Sequence, residues 1–159
     1  MRAGQVLRLR GWGQGEAGMN KRRVLFICTR NSARSQMAEA WLNRLGGEWF
    51  EAESAGLKVG TLKPAVVEAM GEAGVDLSEK GTQTVFDALK SGRRFDYVVA
   101  LYGPESAGEC PEFPGAARLH WDVPERPKTT EEPEEQLAHV RKVRDMIRDR
   151  VTAWVTENR

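Results

Sequence analysis

The fold of this chain is decided by the stretch Cys28-Thr29-Arg30-Asn31-Ser32-Ala33-Arg34-Ser35. Before it, Val24 to Ile27 form a short apolar run of branched and aromatic side chains, which is typical of a buried strand. After it, Met37, Trp41 and Leu45 follow at helical spacing. The stretch is therefore predicted to form the turn from a strand into a helix. Because backbone N–H groups at a helix start are unpaired and the helix dipole is positive there, such a turn is a cradle for a tetrahedral oxyanion.

The side chains of this turn agree with an oxyanion site. The positive potential of a helix start favours the thiolate form of Cys28, which is the nucleophilic form. Arg34 carries a planar fork of donors that suits two oxygens of a phosphate-like anion. Ser35 is expected to hydrogen-bond the sulfur and hold it as thiolate. Asn31 tolerates the left-handed backbone angle that a tight loop can require.

The pattern of a cysteine, five residues, an arginine and a serine resembles the phosphate loop of the low-molecular-weight protein tyrosine phosphatase superfamily. With its flanks, VLFICTRNSARSQMAEAW from Val24 to Trp41, it resembles the arsenate reductase branch, which is usually recycled by thioredoxin. The resemblance covers roughly residues 21 to 158 and continues through residues 53–56 and 74–78, Cys110-Pro111 and His120-Trp121. The less specific interpretation, a buried cysteine near a helix start with an exposed arginine, stays open here.

Length and charge exclude several classes of protein. A chain of 159 residues is long enough for one domain with a proper core. The formal net charge of +1 indicates neither a nucleic-acid nor a membrane partner, and no apolar run approaches the length of a membrane span. Two cysteines do not make a disulfide scaffold, so a cytoplasmic location is expected. No metal site is predicted, because His120 has no cysteine or carboxylate at ligand spacing.

Predicted strands alternate with predicted helices along residues 21–159, which are expected to form one domain. Residues 1–20, rich in glycine and arginine, are predicted to be a disordered extension. Strands are expected at about 22–28, 49–54, 97–101 and 117–121, and helices at about 34–45, from 64, at 82–89 and at 131–157. This order predicts an α/β fold, a single three-layer domain whose four-stranded parallel sheet carries helices on both faces. The ligand is expected at the carboxyl ends of the strands, near Cys28, Gly56, Tyr102 and Asp122.

The resemblance implies a role for each residue of the loop. Cys28 would attack phosphorus in a phosphate ester or arsenic in arsenate, and the Arg34 fork and the backbone N–H groups would hold three oxygens of the anion. Arg30 stands where glycine is common in the family, so its side chain is expected to line the rim and attract anions. The predicted oxyanion-binding residues are Thr29, Arg30, Asn31, Ser32, Ala33 and Arg34.

Both reactions need an acid that protonates the leaving oxygen. In the resembled family, an aspartate followed by proline supplies it from the loop after the fourth strand. Aligned from His120-Trp121, that position falls on Glu125, and Arg126 follows it instead of proline. Glu125 is therefore the first candidate for the general acid, and Asp122 is the reserve candidate.

Arsenate reduction also needs a second thiol that attacks the Cys28–arsenic adduct. The two further thiols of the family flank the loop after the third strand; here the first position is Tyr102 and the second is Cys110. Some members of the resembled family have a further cysteine inside the phosphate loop, and the residue at that position here is Ala33. Three outcomes follow: Cys110 attacks Cys28 directly, an external thiol resolves the adduct, or the protein is a phosphatase that no longer reduces arsenate. An inert loop cysteine at position 110 is also compatible with the sequence.

Two enzymatic hypotheses and one binding hypothesis follow. The first is an arsenate reductase that holds no cofactor and takes electrons from thioredoxin or from glutathione with glutaredoxin. The second is a low-molecular-weight protein tyrosine phosphatase that hydrolyses phosphotyrosine or aryl phosphates. The third is an oxyanion-binding module without turnover. The reductase is favoured, because the resemblance is spread along the chain whereas a single thiol is missing.

Overall fold

A four-stranded parallel sheet is the centre of the fold in residues 21–123 and 132–159, the part of the chain that the computed structural model describes. Its strands are β1 (Arg22–Cys28), β2 (Phe50–Gly56), β3 (Tyr97–Ala100) and β4 (Ala117–His120), in the order β2-β1-β3-β4. All neighbouring pairs are parallel, so the four carboxyl ends meet at one edge. The predicted α/β class and four-stranded parallel sheet are confirmed. Residues 1–20, the predicted extension, lie outside the described residues.

Within these described residues, four α-helices connect and cover the strands. They are α1 (Arg34–Leu45), α2 (Pro64–Glu72), α3 (Val85–Lys90) and α4 (Pro133–Asn158). The predicted second strand ends two residues too early, because β2 continues to Gly56, which pairs with Cys28. The predicted start of α3 at 82 is also too early, because Thr84 caps the helix and exchanges hydrogen bonds with Asp87. The predicted loop of residues 103–115 contains a 3₁₀ helix, Pro104–Glu109.

The two faces of the sheet carry separate apolar cores. Side chains alternate along a strand, so Phe26 and Cys28 point to one face, while Leu25 and Ile27 point to the other. The face that carries Cys28, called the first face here, is covered by α1, α2 and α4. The opposite or second face is covered by α3 and by the segment that follows β3. Helices therefore lie on both faces, as predicted.

Packing of α1 against α4 holds the segment after the 28–35 turn in place. Trp41 of α1 is buried, and its indole N–H donates to the carbonyl of Arg144 in α4 at 3.1 Å. Burying an aromatic side chain of this size contributes a few kcal/mol. In the described part of the chain, no helix combines the length and the apolar character needed to cross a membrane.

Candidate active site

The backbone of the 28–35 turn is held by its carbonyls. Those of Thr29, Ser32 and Ala33 accept the N–H groups of Lys58, Lys63 and Met37 at 2.9–3.1 Å. The N–H groups of residues 29–33 have no partner among the backbone carbonyls of the described residues. Ala33, the N-cap of α1, has no side chain that caps the helix. The positive end of α1 is therefore open toward the turn, which is the arrangement that binds an oxyanion.

Cys28 lies at the base of this turn with its sulfur in a hydrogen-bonded chain. Its Sγ atom is 2.8 Å from Oγ of Ser35, and that oxygen accepts the side-chain N–H of Asn31 at 2.9 Å. Because the Ser35 oxygen already accepts from Asn31, its own hydrogen is available to the sulfur. All three side chains are buried. The predicted contact between Ser35 and the sulfur is present.

Asn31 is the residue around which the turn is built. Its φ angle is +57°, so the predicted left-handed conformation is present. Its side-chain oxygen accepts from Gln36 Nε2 at 3.2 Å and from the backbone N–H of Gln83 at 3.0 Å. Sequence reasoning missed both of these supports. Gln36 directly follows the motif, so its contact with Asn31 could have been predicted from its position. Gln83 is distant in the chain, and no local sequence pattern indicates its contact with Asn31.

The loop after β2 supports the turn from outside. A Cβ atom placed on Gly56 would lie 2.6 Å from the carbonyl carbon of Arg30, and one placed on Gly60 would lie 2.3 Å from its carbonyl oxygen. Only glycine permits an approach this close between two backbones. The side chain of Arg30 is exposed and donates to the carbonyl of Val59 at 3.1 Å. It therefore lies at the surface of the turn, and its predicted role in attracting anions stays a prediction.

Arg34 begins α1 and extends toward β3 and β4. It is 9% exposed, and its Nη1 donates to the carbonyls of Leu101 and, at 3.4 Å, of Val123. These two residues follow the carboxyl ends of β3 and β4. The guanidinium therefore connects the 28–35 turn to the two loops that carry the remaining candidate residues.

A cavity of about 190 Å³ opens between the loops after β3 and β4. It is lined by Arg34, Leu101, Tyr102, Glu105 and Asp122. Its wall is completed by Gly103, Pro104, His120, Trp121 and Val123. Asp122, the reserve candidate for the acid, is exposed here and shares the cavity with Arg34. Glu125, the first candidate, lies outside the described residues.

Cys110 is not brought to Cys28. It packs on the second face of the sheet, beside Tyr102, whereas Cys28 belongs to the first face. Arg118 donates to the Tyr102 hydroxyl at 3.1 Å. Burial raises the pKa of Tyr102, the Arg118 hydrogen bond opposes that rise, and the neighbouring Cys110 thiol adds to it. The thiol, phenol and guanidinium therefore form one cluster, called the Cys110 cluster here.

The described residues contain no group of three or more histidine, cysteine or carboxylate side chains placed to hold a metal ion. Both cysteines are free thiols. The reactive groups that the structure describes at this edge of the sheet are the Cys28 thiol in its turn and the Arg34 guanidinium, which also lines the cavity.

Comparison with known proteins identifies the family. Residues 23–158 match the family model described as low molecular weight phosphotyrosine protein phosphatase. A curated relative from Halalkalibacterium halodurans, named arsenate reductase, is 41% identical over 137 residues, which are 86% of this chain and 96% of the relative.

Solved structures agree with this assignment. An arsenate reductase from Archaeoglobus fulgidus superposes with a TM-score of 0.65 at 30% identity, covering 84% of this chain and 98% of that protein. A low molecular weight protein tyrosine phosphatase from T. tengcongensis shares the fold with a TM-score of 0.67 at 24% identity, covering 86% and 99%. This protein therefore belongs to the low molecular weight phosphotyrosine protein phosphatase family.

Proposed function

We propose that this protein is an arsenate reductase that acts through Cys28. The observation that carries the proposal is the position of Cys28 Sγ, 2.8 Å from Ser35 Oγ, at the base of a turn whose N–H groups at residues 29–33 have no backbone partner within the described ranges. Relatives that share about two fifths of their residues with the chain over most of its length bear the name arsenate reductase. One such site can bind either arsenate or phosphate, because both are tetrahedral oxyanions of similar charge.

The first chemical step forms a bond between Cys28 sulfur and arsenic. The thiolate attacks arsenate, and one arsenate oxygen leaves as water after it takes a proton from a general acid. The N–H groups of residues 29–33 and the Arg34 fork hold the remaining oxygens as charge develops on them.

The second step reduces arsenic. A second thiolate attacks Cys28 sulfur, the sulfur–arsenic bond breaks, and its electron pair stays with arsenic, which leaves as arsenite. The two sulfurs are then joined as a disulfide. We propose an external thiol system, thioredoxin or glutathione with glutaredoxin, as the final electron donor, which places the protein in the reducing cytoplasm.

The general acid comes from the loop after β4. Glu125 and Asp122 are the two candidates, and Asp122 is supported by its place beside Arg34 in the cavity. The pH dependence of kcat/KM for Glu125→Gln and Asp122→Asn tests the choice. The variant that loses the alkaline limb identifies the acid, and the assignment fails if both variants keep it.

A phosphatase is the second candidate function, and Tyr102 favours it. A tyrosine side chain cannot supply the electrons that arsenate reduction takes from a second thiol. Aryl phosphate hydrolysis needs only the Cys28 nucleophile, the anion cradle and the acid, so weak hydrolysis is expected even from a reductase.

Arsenite formation separates the functions. Purified protein is given arsenate with the thioredoxin system or with glutathione and glutaredoxin, and separately an aryl phosphate without reductant. Cys28→Ser is the inactive control, and Cys110→Ser reports whether the second cysteine is needed. Thiol-dependent arsenite production supports the reductase, and efficient hydrolysis without it supports the phosphatase. Phosphate binding with neither activity leaves an oxyanion-binding module.

A further inference from the structure

We infer that Gln36 is a positioning residue for Cys28: it holds the side-chain amide of Asn31 in the orientation that leaves the Ser35 hydroxyl able to donate to the sulfur. Gln36 lies outside the 28–35 turn and acts on the sulfur through two other side chains. The inference rests on the proposed role of Cys28 as the nucleophile, and it applies equally to a reductase and to a phosphatase.

The orientation of the Asn31 amide decides what Ser35 can offer the sulfur. Nδ2 of Asn31 donates to Oγ of Ser35 at 2.9 Å, so the hydroxyl keeps its hydrogen and one lone pair for Sγ of Cys28, 2.8 Å away. A reversed amide would place Oδ1 against the hydroxyl and take its hydrogen. Only lone pairs would then face the sulfur, and a thiolate cannot use them because it has no hydrogen to donate.

Two donors oppose the reversal of the Asn31 amide. Its Oδ1 accepts from the backbone N–H of Gln83 at 3.0 Å and from Nε2 of Gln36 at 3.2 Å. In a reversed amide the amino group of Asn31 would face both donors, and two donors form no hydrogen bond. The donor of Gln83 belongs to the backbone and stays in every variant. Gln36 is therefore the residue whose side chain can be changed to weaken the hold on Oδ1.

The amide of Gln36 is itself fixed in one orientation. Its Nε2 lies 3.1–3.2 Å from three oxygens, which are the backbone carbonyls of Asn31 and Gly81 and Oδ1 of Asn31. With Oε1 in this place, three acceptors would face a fourth. The hydrogen bonds therefore have a defined order, from the Gly81 carbonyl through Gln36 and Asn31 to the Ser35 hydroxyl and the sulfur of Cys28.

The other end of the Gln36 amide contributes nothing comparable. Gln36 is fully buried, and its Oε1 has no hydrogen-bond partner among the described residues. A buried acceptor without a partner destabilises a fold. The useful part of the side chain is therefore its amino group. Because Gln36→Met removes the unpaired oxygen together with the donor and keeps an unbranched side chain, we expect this variant to fold.

The test measures alkylation of Cys28 by iodoacetamide in Gln36→Met and in wild type at pH 7 and pH 9, followed by mass spectrometry at that site. At pH 7 we expect the variant to react about threefold to fivefold more slowly, because one of the two donors to Asn31 is lost. At pH 9 the rates should approach each other, since the thiolate then forms with less help from a hydrogen bond. A variant that was only loosened would expose the buried sulfur and react faster at both pH values, which would overturn the inference.

A double-mutant cycle tests the route from Gln36 to the sulfur. In a Ser35→Ala background, Gln36→Met should cause no further slowing at pH 7, because the hydroxyl through which Gln36 acts is gone. A slowing of the same size in that background would mean that Gln36 reaches Cys28 by another route, and the inference would be wrong. Gln36→Leu, a second apolar replacement, should give the same results as Gln36→Met and takes its place if the methionine variant does not fold.

Asn43, on the same helix α1, supplies the matched control. Its side-chain amide donates to the carbonyl of Ala52 at 3.1 Å and accepts the N–H of Ala52 at 2.8 Å. Asn43→Met removes both hydrogen bonds and should leave the alkylation rate of Cys28 at pH 7 unchanged. Equal slowing in Asn43→Met and Gln36→Met, or a Gln36→Met rate equal to wild type, would overturn the inference. Alkylation needs neither arsenate nor a reductant, so these outcomes leave the proposed function standing, which fails if no thiol system yields arsenite.

Discussion

The hydroxyl oxygen of Ser35 lies 2.8 Å from the sulfur of Cys28 and 2.9 Å from the amide nitrogen of Asn31. The amide nitrogen can only donate in this contact, which leaves the hydrogen and one lone pair of the hydroxyl for the sulfur. The serine oxygen therefore joins three buried side chains in one hydrogen-bonded chain. This relationship links the shape of the 28–35 turn to the reactivity of its cysteine.

Removing that hydroxyl should make Cys28 less reactive. We expect Ser35→Ala to slow alkylation of Cys28 by iodoacetamide at pH 7 about tenfold, because a hydrogen bond to a charged group contributes about 1.5–3 kcal/mol. Alkylation is followed by mass spectrometry at that site. Ser32→Ala, in the same turn, is the matched control and should react like wild type. Equal rates for Ser35→Ala and wild type would show that the hydroxyl does not stabilise the thiolate.

Replacement of Asn31 should destabilise the whole protein. Asn31→Ala removes three side-chain hydrogen bonds from a buried position and puts a Cβ-bearing residue without a polar side chain at φ +57°. We expect the free energy of unfolding in urea to fall by about 2–4 kcal/mol. Asn31→Gly loses the same hydrogen bonds but adopts this φ freely, so it should be about 1 kcal/mol more stable than Asn31→Ala. A fall of the same size in both variants would exclude backbone strain as a contribution.

The ion pairs that connect α2 to α4 through Glu72 should weaken in acid. The pKa of Glu72 is lowered from its ordinary value of 4.5 because Arg141 hydrogen-bonds its carboxylate, with the charge of Arg141 and contacts from Arg144 adding to the effect. A carboxyl whose pKa is lower in the folded state stabilises the fold above the unfolded pKa and loses this contribution as the pH falls through the folded pKa. Stability should therefore decline below about pH 4.5.

Glu72→Gln tests the contribution of these ion pairs. The variant should show a flatter dependence of the free energy of unfolding on pH in that acidic range, measured by urea titration at a series of pH values. Glu157→Gln, an exposed change on α4, is the control and should keep the wild-type slope. If both variants follow wild type, the ion pairs of Glu72 contribute nothing measurable.

The Cys110 cluster should be sensitive to alkali. Burial raises the pKa of Tyr102 above its ordinary value of 10.0, so its phenol stays neutral in the fold at a pH where the unfolded chain would release the proton. The resulting stability is complete below pH 10 and is lost as the pH rises through the folded pKa. The absorbance difference between wild type and Tyr102→Phe near 295 nm should therefore develop above pH 10.

Tyr102→Phe also loosens the contacts of Cys110. Without the hydroxyl, the thiol loses one neighbour and Arg118 loses its acceptor. Alkylation of Cys110 should accelerate, whereas Tyr97→Phe should leave its rate unchanged. If Cys110 is alkylated at the same rate in Tyr102→Phe as in wild type, the Tyr102 hydroxyl does not restrict the thiol and the contacts of the Cys110 cluster are contradicted.

The local part of the site could be predicted from contiguous residues. An apolar run, a turn and a helical repeat stand side by side from Val24 to Leu42, so periodicity alone places Cys28 at a strand end and Arg34 at a helix start. The left-handed angle at Asn31 was also predictable, because few residue types accept it. The fold class could be predicted as well, because strands alternate with helices along the chain, which favours a parallel sheet with crossovers.

The rest depended on contacts between distant segments. Gln83 supports Asn31 across 52 residues, and Glu105 folds over Gly103 in a loop whose path no periodic pattern describes. Above all, the alternation of side chains along β1 puts Cys28 on the first face, whereas the path of the chain after β3 puts Tyr102 and Cys110 on the second. That path runs through a loop and a 3₁₀ helix, for which no sequence period gives the direction of a side chain. Residue types therefore settled which groups can react, and the tertiary path of the chain decided which of them can meet.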